Sequence, residues 1–203
     1  MSEQLKRPFF RRPAREVAEK LLGNRLVRSA NNERISGIIV ETEAYCDTQV
    51  RDLACHGDRA NNGRPTNRTA VMFGPPGHAY VYFTYGMHWM FNIVTGDQGQ
   101  ANAVLIRALE PTEGISNMRS LRNRPDNQLT NGPAKLAQAL AIDGSFNSVD
   151  ICAADSLIWI EEGGAIAAGE IRTGPRVGLG QTPEPWFSMP WRYWIDGSPY
   201  VSR

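Results

Sequence analysis

Apolar and polar positions divide the chain into short elements. Pro13 suits the first turn of a helix and Gly23 its end. Between them Val17, Leu21 and Leu22 form an apolar stripe, with Glu16, Glu19 and Lys20 outside it. Residues 26–28 read as a strand and Asn31-Asn32 as a tight turn, which makes residues 36–45 the second arm of a hairpin. Along that arm the period-two alternation of a strand puts Ile39, Glu41, Glu43 and Tyr45 on one side, and Ile38, Val40, Thr42 and Ala44 on the other. The second set suits a core. The first aligns two carboxylates and a phenol at a spacing of roughly 6.5–7 Å, an arrangement to display in a cleft. Periodicity does not choose between the carboxylates.

From 46 to 70 the apolar signal stops, in a stretch rich in Asp, Asn, Gly and Arg that also carries His56. A polar segment of this length inside a compact domain is more often functional than idle, and Leu53, Ala54 and His56 argue against plain disorder. Gly74-Pro75-Pro76-Gly77 is a turn, and an antiparallel meander follows: 78–85, 88–95 and 103–109, with Pro111 expected to end it. In the first of these strands Tyr80, Tyr82 and Thr84 form a phenolic face, and Val81 and Phe83 an apolar one facing the core. The third is an apolar run that ends in Arg107, which calls for a partner because buried arginine is rare unless paired. Helices are expected over 115–122 and 134–142, the second carrying Lys135 in its first turn, against the helix dipole. Residues 157–160 and 191–195 read as further strands. Arg176-Val177-Gly178-Leu179-Gly180 is a glycine-spaced turn without the strand and helix of a dinucleotide site.

Composition adds limits. The chain has 203 residues and a net charge of +1, from 22 Lys and Arg against 21 Asp and Glu. One domain over 1–203 is expected, with 1–12 as a solvated, flexible arm. The charge balance gives no global case for nucleic acid, so any such surface must be local. Cys46, Cys55 and Cys152 are too few for a disulfide framework and, with three scattered histidines, form no metal pattern. No cofactor or metal is called for. With no membrane-length apolar run and no signal peptide, an intracellular, cytoplasmic protein is expected.

The inventory is thus a carboxylate strand, several tyrosines, one arginine in a core strand and a polar loop with a histidine. Three function classes fit. One is O-glycoside hydrolysis by a pair of glutamates. Another is hydrolysis of a sugar-to-base N-glycosidic bond, with one carboxylate activating water and tyrosines sandwiching the base. The third is a non-catalytic nucleic-acid or peptide-binding module with tyrosine platforms. The pattern by itself ranks them nearly equal.

Ile39-Val40-Glu41-Thr42-Glu43-Ala44-Tyr45 resembles the signature of the mammalian-type alkyladenine (3-methyladenine) DNA glycosylase family, which also occurs in bacteria. So do Gly63-Arg64-Pro65-Thr66-Asn67-Arg68, Tyr80-Val81-Tyr82-Phe83-Thr84-Tyr85-Gly86-Met87 and Val104-Leu105-Ile106-Arg107-Ala108-Leu109-Glu110-Pro111. Gly132-Pro133-Ala134-Lys135-Leu136, Arg176-Val177-Gly178 and Gly197-Ser198-Pro199 continue the likeness in the same order.

The resemblance implies an α+β domain: a curved, mainly antiparallel, open-barrel-like sheet flanked by helices, with a protruding β-hairpin. It implies a monomeric enzyme acting on damaged purines in double-stranded DNA. Glu43 matches the glutamate that activates water and Arg107 the pocket arginine. Tyr45, His56, Tyr82 and Asn92 match the base pocket, and Tyr85 the side chain that wedges into the duplex. Met87 and His88 lie on the same hairpin, toward DNA, and Thr66 is a further expected DNA contact. Because the net charge is near neutral, DNA affinity must come from a local basic stripe, for which Arg64, Arg68, Arg119, Arg122 and Lys135 are candidates. Between Tyr45 and His56 the chain is about two residues longer than the family pattern. Cys46-Asp47 replaces a stretch where glycine is common, and His88 stands where some relatives carry an aromatic.

Overall fold

The computed structural model describes residues 3–30, 33–46 and 51–202. The Asn31-Asn32 turn and Asp47 lie outside them. The elements in chain order are α1 (Arg7–Phe10), α2 (Ala14–Lys20), β1 (Arg25–Ala30), β2 (Glu33–Tyr45), α3 (His56–Arg59), β3 (Ala79–Thr84), β4 (His88–Val94), β5 (Ala103–Glu113), α4 (Ile115–Arg122), α5 (Pro133–Ala139), β6 (Ile158–Glu161), β7 (Ile171–Gly174) and β8 (Arg192–Ile195). The strands form one curled antiparallel sheet, a half-barrel, in the order β3-β4-β5-β2-β1-β6. β7 is attached through β8, which pairs with β2. The α+β class, the curved sheet and the helices around it are as expected.

β2 is the central strand because it is long enough to hold three partners. β1 covers Glu33 to Ile38 on one edge, β8 takes over that edge from Glu41 to Glu43, and β5 runs along the other. The segment 41–43 is therefore enclosed on both edges, and all three of its side chains are fully buried.

The face assignment of β2 needs one correction. Ile39 pairs with Leu109 and Glu41 with Ala108, so Val40 is an extra residue on β2. Glu41 pairs with Ala108 and Thr42 with Ile106, so Arg107 is an extra residue on β5. Each bulge shifts the alternation by one. Ile39, expected beside Glu41, instead joins Ala44 in the main core, and Leu109 joins Val104 and Ile106 there. Glu41, Glu43 and Tyr45 keep the other face. The carboxylates are also not displayed in a cleft: both are fully buried.

The main core fills the face covered by α2, with Val17 and Leu21, and by α5, with Leu136 and Leu140. Thr42 donates its hydroxyl to the Ala18 carbonyl at 2.7 Å, tying β2 to α2. A second, smaller cluster occupies the opposite face: Cys55, Met72, Tyr80, Val94, Ala101 and Ala103. It draws the polar stretch after Tyr45 down onto the sheet, so its described part is packed rather than loose.

Three further expectations change. Residues 7–10 form a helical turn with Phe10 fully buried, and Gln4 bridges to Glu161, so 3–12 is not a solvated arm. β5 runs through Pro111 to Glu113, because a further register shift beside Gly37 lets a proline sit in the strand. Phe83 is 46% exposed and packs on Trp89 rather than in the core. The reason is that β4 pairs with β5 only from Asn92 to Val94, so the outer part of the β3–β4 hairpin projects beyond β5. β7, unmarked by any apolar run, has no counterpart in the sequence reading.

Candidate active site

The two glutamates of β2 have different surroundings. Glu41 Oε1 accepts from Arg107 Nε at 2.8 Å, Arg192 Nε at 2.6 Å and the Ser202 hydroxyl at 2.8 Å, and Oε2 accepts from the Ser202 N–H at 2.7 Å. This carboxylate is spent on holding β5, β8 and residue 202 together. Glu43 Oε1 accepts from the Val177 N–H at 2.6 Å and lies 3.1 Å from Arg107 Nη1, while Oε2 accepts from the Tyr45 hydroxyl at 2.8 Å. Arg107 thus spans both carboxylates, which is the partner its place in a core strand calls for. Burial works against its charge, but Glu43 and then Glu41 outweigh that and raise its pKa.

Behind Tyr45 stands a second buried pair. Arg176 Nη1 and Nη2 donate to the two oxygens of Asp52 at 2.6 and 3.0 Å, both side chains fully inaccessible. Arg176 also donates to the carbonyls of Ala44 and Trp186, and its guanidinium lies 4.8 Å from the Tyr45 ring and 4.9 Å from the Trp191 ring. Asp52 accepts the N–H of Cys46 and of Ala54. This pair ties the loop that carries His56 to the segment that carries the Val177 N–H. Neither partner is a candidate in the sequence reading: Arg176 falls in an irregular glycine-spaced turn, Asp52 among many polar residues, and no spacing rule joins positions so distant.

In front of Tyr45 opens a cavity of about 550 Å³ lined by Tyr45, His56, Tyr80, Tyr82, Asn92, Leu105, Arg107, Val177 and Tyr85, among others. Its size and apolar walls with a few convergent polar groups suit one flat ring system. The sequence-expected pocket residues Tyr45, His56, Tyr82 and Asn92 are all in its wall, with Tyr80 as an additional member. Glu43 stands one layer behind, touching Tyr45, Arg107 and Val177, each of which faces the cavity. No Asp or Glu is itself among the lining residues.

His56 lies in the cavity wall: its Nδ1 is 3.0 Å from the Tyr80 hydroxyl and its ring edge-on to Tyr82 at 4.7 Å. Asn92 donates to the Tyr80 carbonyl at 3.0 Å, which fixes its amide at the cavity floor. Burial, and then the negative charge of Glu43, raise the Tyr45 phenol well above its ordinary value, and burial pushes Tyr80 up to about 12. Burial also raises Tyr82. The three rings are neutral donors across the physiological range.

The projecting hairpin ends at the cavity rim. Tyr85 and Gly86 have φ of 51° and 67°, and the Met87 N–H donates to the Thr84 carbonyl at 3.1 Å, which makes a tight turn of the kind that matches strand twist. Glycine is at home in that conformation; a bulky residue such as Tyr85 is strained there, and such strain concentrates at functional sites. The turn holds Tyr85 81% exposed and Met87 65% exposed, with His88 exposed beside them.

The other surface candidates are dispersed. Arg64 and Arg68 are exposed, Arg68 with its guanidinium 5.0 Å from the Tyr82 ring, while the Thr66 hydroxyl is engaged with Thr69 in its own turn. Lys135 donates to the carbonyl and side chain of Asn131 and lines a second cavity of about 390 Å³, which shares Arg107, Pro133 and Val177 with the first. Arg119 forms a two-pronged pair with Asp126, and Arg122 is bound to Gln138, so these two are engaged within the fold. Among the described residues no group of three or more His, Cys, Asp or Glu could hold a metal ion. None of their helices is long and apolar enough to cross a membrane.

The sequence pattern of the methylpurine-DNA glycosylase family matches residues 8–199. A protein of Carboxydothermus hydrogenoformans is 44% identical over 200 residues, covering 98% of each chain. One of Rhodopseudomonas palustris is 44% identical over 204 residues, covering all of this chain and 92% of its own. A third, of Chlorobaculum parvum, is 43% identical over 196 residues, covering 96% and 88%. All three carry a 3-methyladenine DNA glycosylase name.

Proposed function

The chain belongs to the methylpurine-DNA glycosylase family, and we propose that it removes alkylated purines from double-stranded DNA by hydrolysing the N-glycosidic bond with a water activated by Glu43. The observation that carries this reading is the layered arrangement of one buried carboxylate behind an aromatic cavity with ample room for a base. Glu43 is fixed by the Val177 N–H, Arg107 and the Tyr45 hydroxyl, and all three residues also line the cavity.

A base within a duplex is out of reach of such a carboxylate, so the nucleotide must swing out into the cavity. Tyr45, Tyr82 and His56 then enclose the ring. A purine alkylated at N3 or N7 is a cation, attracted to the π faces and a good leaving group. Glu43 Oε1 is occupied by the Val177 N–H and Arg107, whereas Oε2 accepts from the Tyr45 hydroxyl and keeps a lone pair for a proton of the water. As the water oxygen bonds to C1′, its proton passes to Glu43 and the C1′–N electron pair leaves with the base, which becomes neutral. The carboxylate also opposes the positive charge that develops on the sugar. Deaminated or etheno purines are neutral and need a proton or hydrogen bonds on the leaving base. An abasic site remains. The enzyme acts as a monomer in the cytoplasm, on nucleoid DNA.

The rival reading of a glutamate pair working on an O-glycoside requires two carboxylates flanking one bond. Glu41 is engaged by Arg107, Arg192 and Ser202, and of the two carboxylates it is Glu43 that touches the cavity-lining Tyr45 and Val177.

The experiment is release of 3-methyladenine from alkylated duplex DNA, beside an aryl O-glycoside. Release of base with no turnover of the glycoside is expected. Glycoside turnover without base release would reverse the ranking, and damaged-DNA binding without release would mark a binding module. The near-neutral chain further implies a local DNA surface: affinity should fall with salt, with a log–log slope of about −0.9 for each phosphate contacted.

Tyr85 is the side chain poised to fill the gap in the stack. Tyr85→Ala is expected to slow excision from duplex by about 10-fold, the equivalent of ~1.4 kcal/mol of lost wedge stabilisation, with a much smaller effect on single strands. Single-turnover rates on the two substrates check this; equal losses would remove the wedge role.

A further inference from the structure

We propose that Ser202 is a positioning residue for Arg107, so that segment 200–202, far from the cavity wall in sequence, completes the active site; this rests on the glycosylase reading above. The inference comes from how the three nitrogens of the Arg107 guanidinium are assigned. Nε donates to Glu41 Oε1 at 2.8 Å, Nη2 donates to the Ser202 hydroxyl oxygen at 3.1 Å, and Nη1 lies 3.1 Å from Glu43 Oε1. Only the third points toward the carboxylate that works on water.

Arginine favours a two-pronged grip on a carboxylate. Nε and Nη2 form such a fork, and with Nε already on Glu41 the second prong would fall on Glu41 Oε2. Ser202 blocks that outcome twice. Its backbone N–H occupies Oε2 at 2.7 Å, and its hydroxyl intercepts Nη2 while donating its own proton to Oε1 at 2.8 Å. Arg192 adds a further donor to Oε1 at 2.6 Å, so Glu41 is saturated without taking all of Arg107. The guanidinium is thereby kept shared between Glu41 and Glu43. Glu41 and Arg192 hold the frame, and the Ser202 hydroxyl sets the orientation.

The position is also one where the hydroxyl can be removed cleanly. Ser202 is half-buried, at the rim of the cavity that Arg107, Lys135 and Arg192 share, rather than in either apolar core. In Ser202→Ala the backbone N–H still holds Glu41 Oε2, so the fold is retained. But Nη2 loses its acceptor and Oε1 loses one of its three donors, so the guanidinium is no longer held in orientation and can shift onto Oε1 and away from Glu43. Ser202→Thr keeps the hydroxyl.

The test compares wild type, Ser202→Ala and Ser202→Thr in three measurements: single-turnover release of 3-methyladenine from a duplex, affinity for a duplex with a tetrahydrofuran abasic analogue, and thermal melting. Ser202→Ala is expected to lower the rate constant by about 10-fold or more, with duplex affinity within about twofold of wild type, the signature of an interaction expressed in the transition state. Ser202→Thr should restore most of the rate, and melting should shift little. The proposal is overturned if Ser202→Ala releases base as fast as wild type, if Ser202→Thr is as slow as Ser202→Ala, or if rate, affinity and melting fall together. Failure of the wild-type protein to release base would overturn the glycosylase reading and this proposal with it. Release by wild type matched by Ser202→Ala would overturn this proposal alone.

Discussion

Glu43→Gln is expected to lower single-turnover release of 3-methyladenine by about 10²–10⁴-fold, the usual scale of a lost general base, while duplex binding is retained. Glutamine preserves the shape of the side chain and can keep an oxygen toward the Val177 N–H, now held at 2.6 Å. It cannot take a proton from water, and it brings no negative charge to oppose the sugar cation. Glu41→Gln is the matched control. That carboxylate receives two arginines and both donors of Ser202, and is spent on structure. Its amide would put N–H groups against donors, lowering melting temperature and slowing release in part, with a measurable rate remaining. Equal release by wild type and Glu43→Gln would sink the mechanism. A larger rate loss at Glu41 than at Glu43 would exchange their roles.

The second large effect is on stability. Asp52→Ala is expected to cost about 3–5 kcal/mol, because removing one partner of a fully buried pair leaves the other charge uncompensated. For a chain of this size each kcal/mol corresponds to roughly 2–4 °C in melting temperature, so a drop on the order of 10 °C is expected. Arg176 would be the stranded partner, left with the Ala44 and Trp186 carbonyls, two aromatic rings and the more distant charge of Glu43. Since Asp52 also accepts the N–H of Cys46 and of Ala54, the loop leading to His56 should loosen as well, weakening the cavity wall. Thermal unfolding and hydrogen exchange across 51–56 measure both parts. A melting shift within about 2 °C would show that the pair is dispensable, at less than ~1 kcal/mol.

These two predictions differ in how far the sequence leads to them. Glu43, Tyr45, Tyr82, His56, Asn92 and Arg107 all emerge from the motifs, and the cavity wall gathers the last five, with Glu43 one layer behind. The local elements behind them, such as α4 over Ile115–Arg122 and the hairpin of β3 and β4, are written in short-range apolar spacing and turn residues, which act within a few positions of one another. Those signals carry through to the structure. What fails is alternation carried across Val40: the bulges at Val40 and Arg107 arise from the register between two strands, and one strand read alone contains no trace of its partner's extra residue. Phe83 fails for a related reason, since exposure there depends on where β5 stops covering the hairpin.

Local pattern by itself marked a central carboxylate strand, a phenolic strand and a hairpin link at Gly86-Met87, one residue past the observed Tyr85-Gly86 turn. The motifs added the family and singled out Glu43. Only the tertiary structure decided how the two carboxylates differ, because the difference lies in partners 134 and 161 positions away: the Val177 N–H on Glu43 and Ser202 on Glu41. A carboxylate's character is set by the donors and charges within a few ångströms of it. Chain folding, not chain spacing, assembles those.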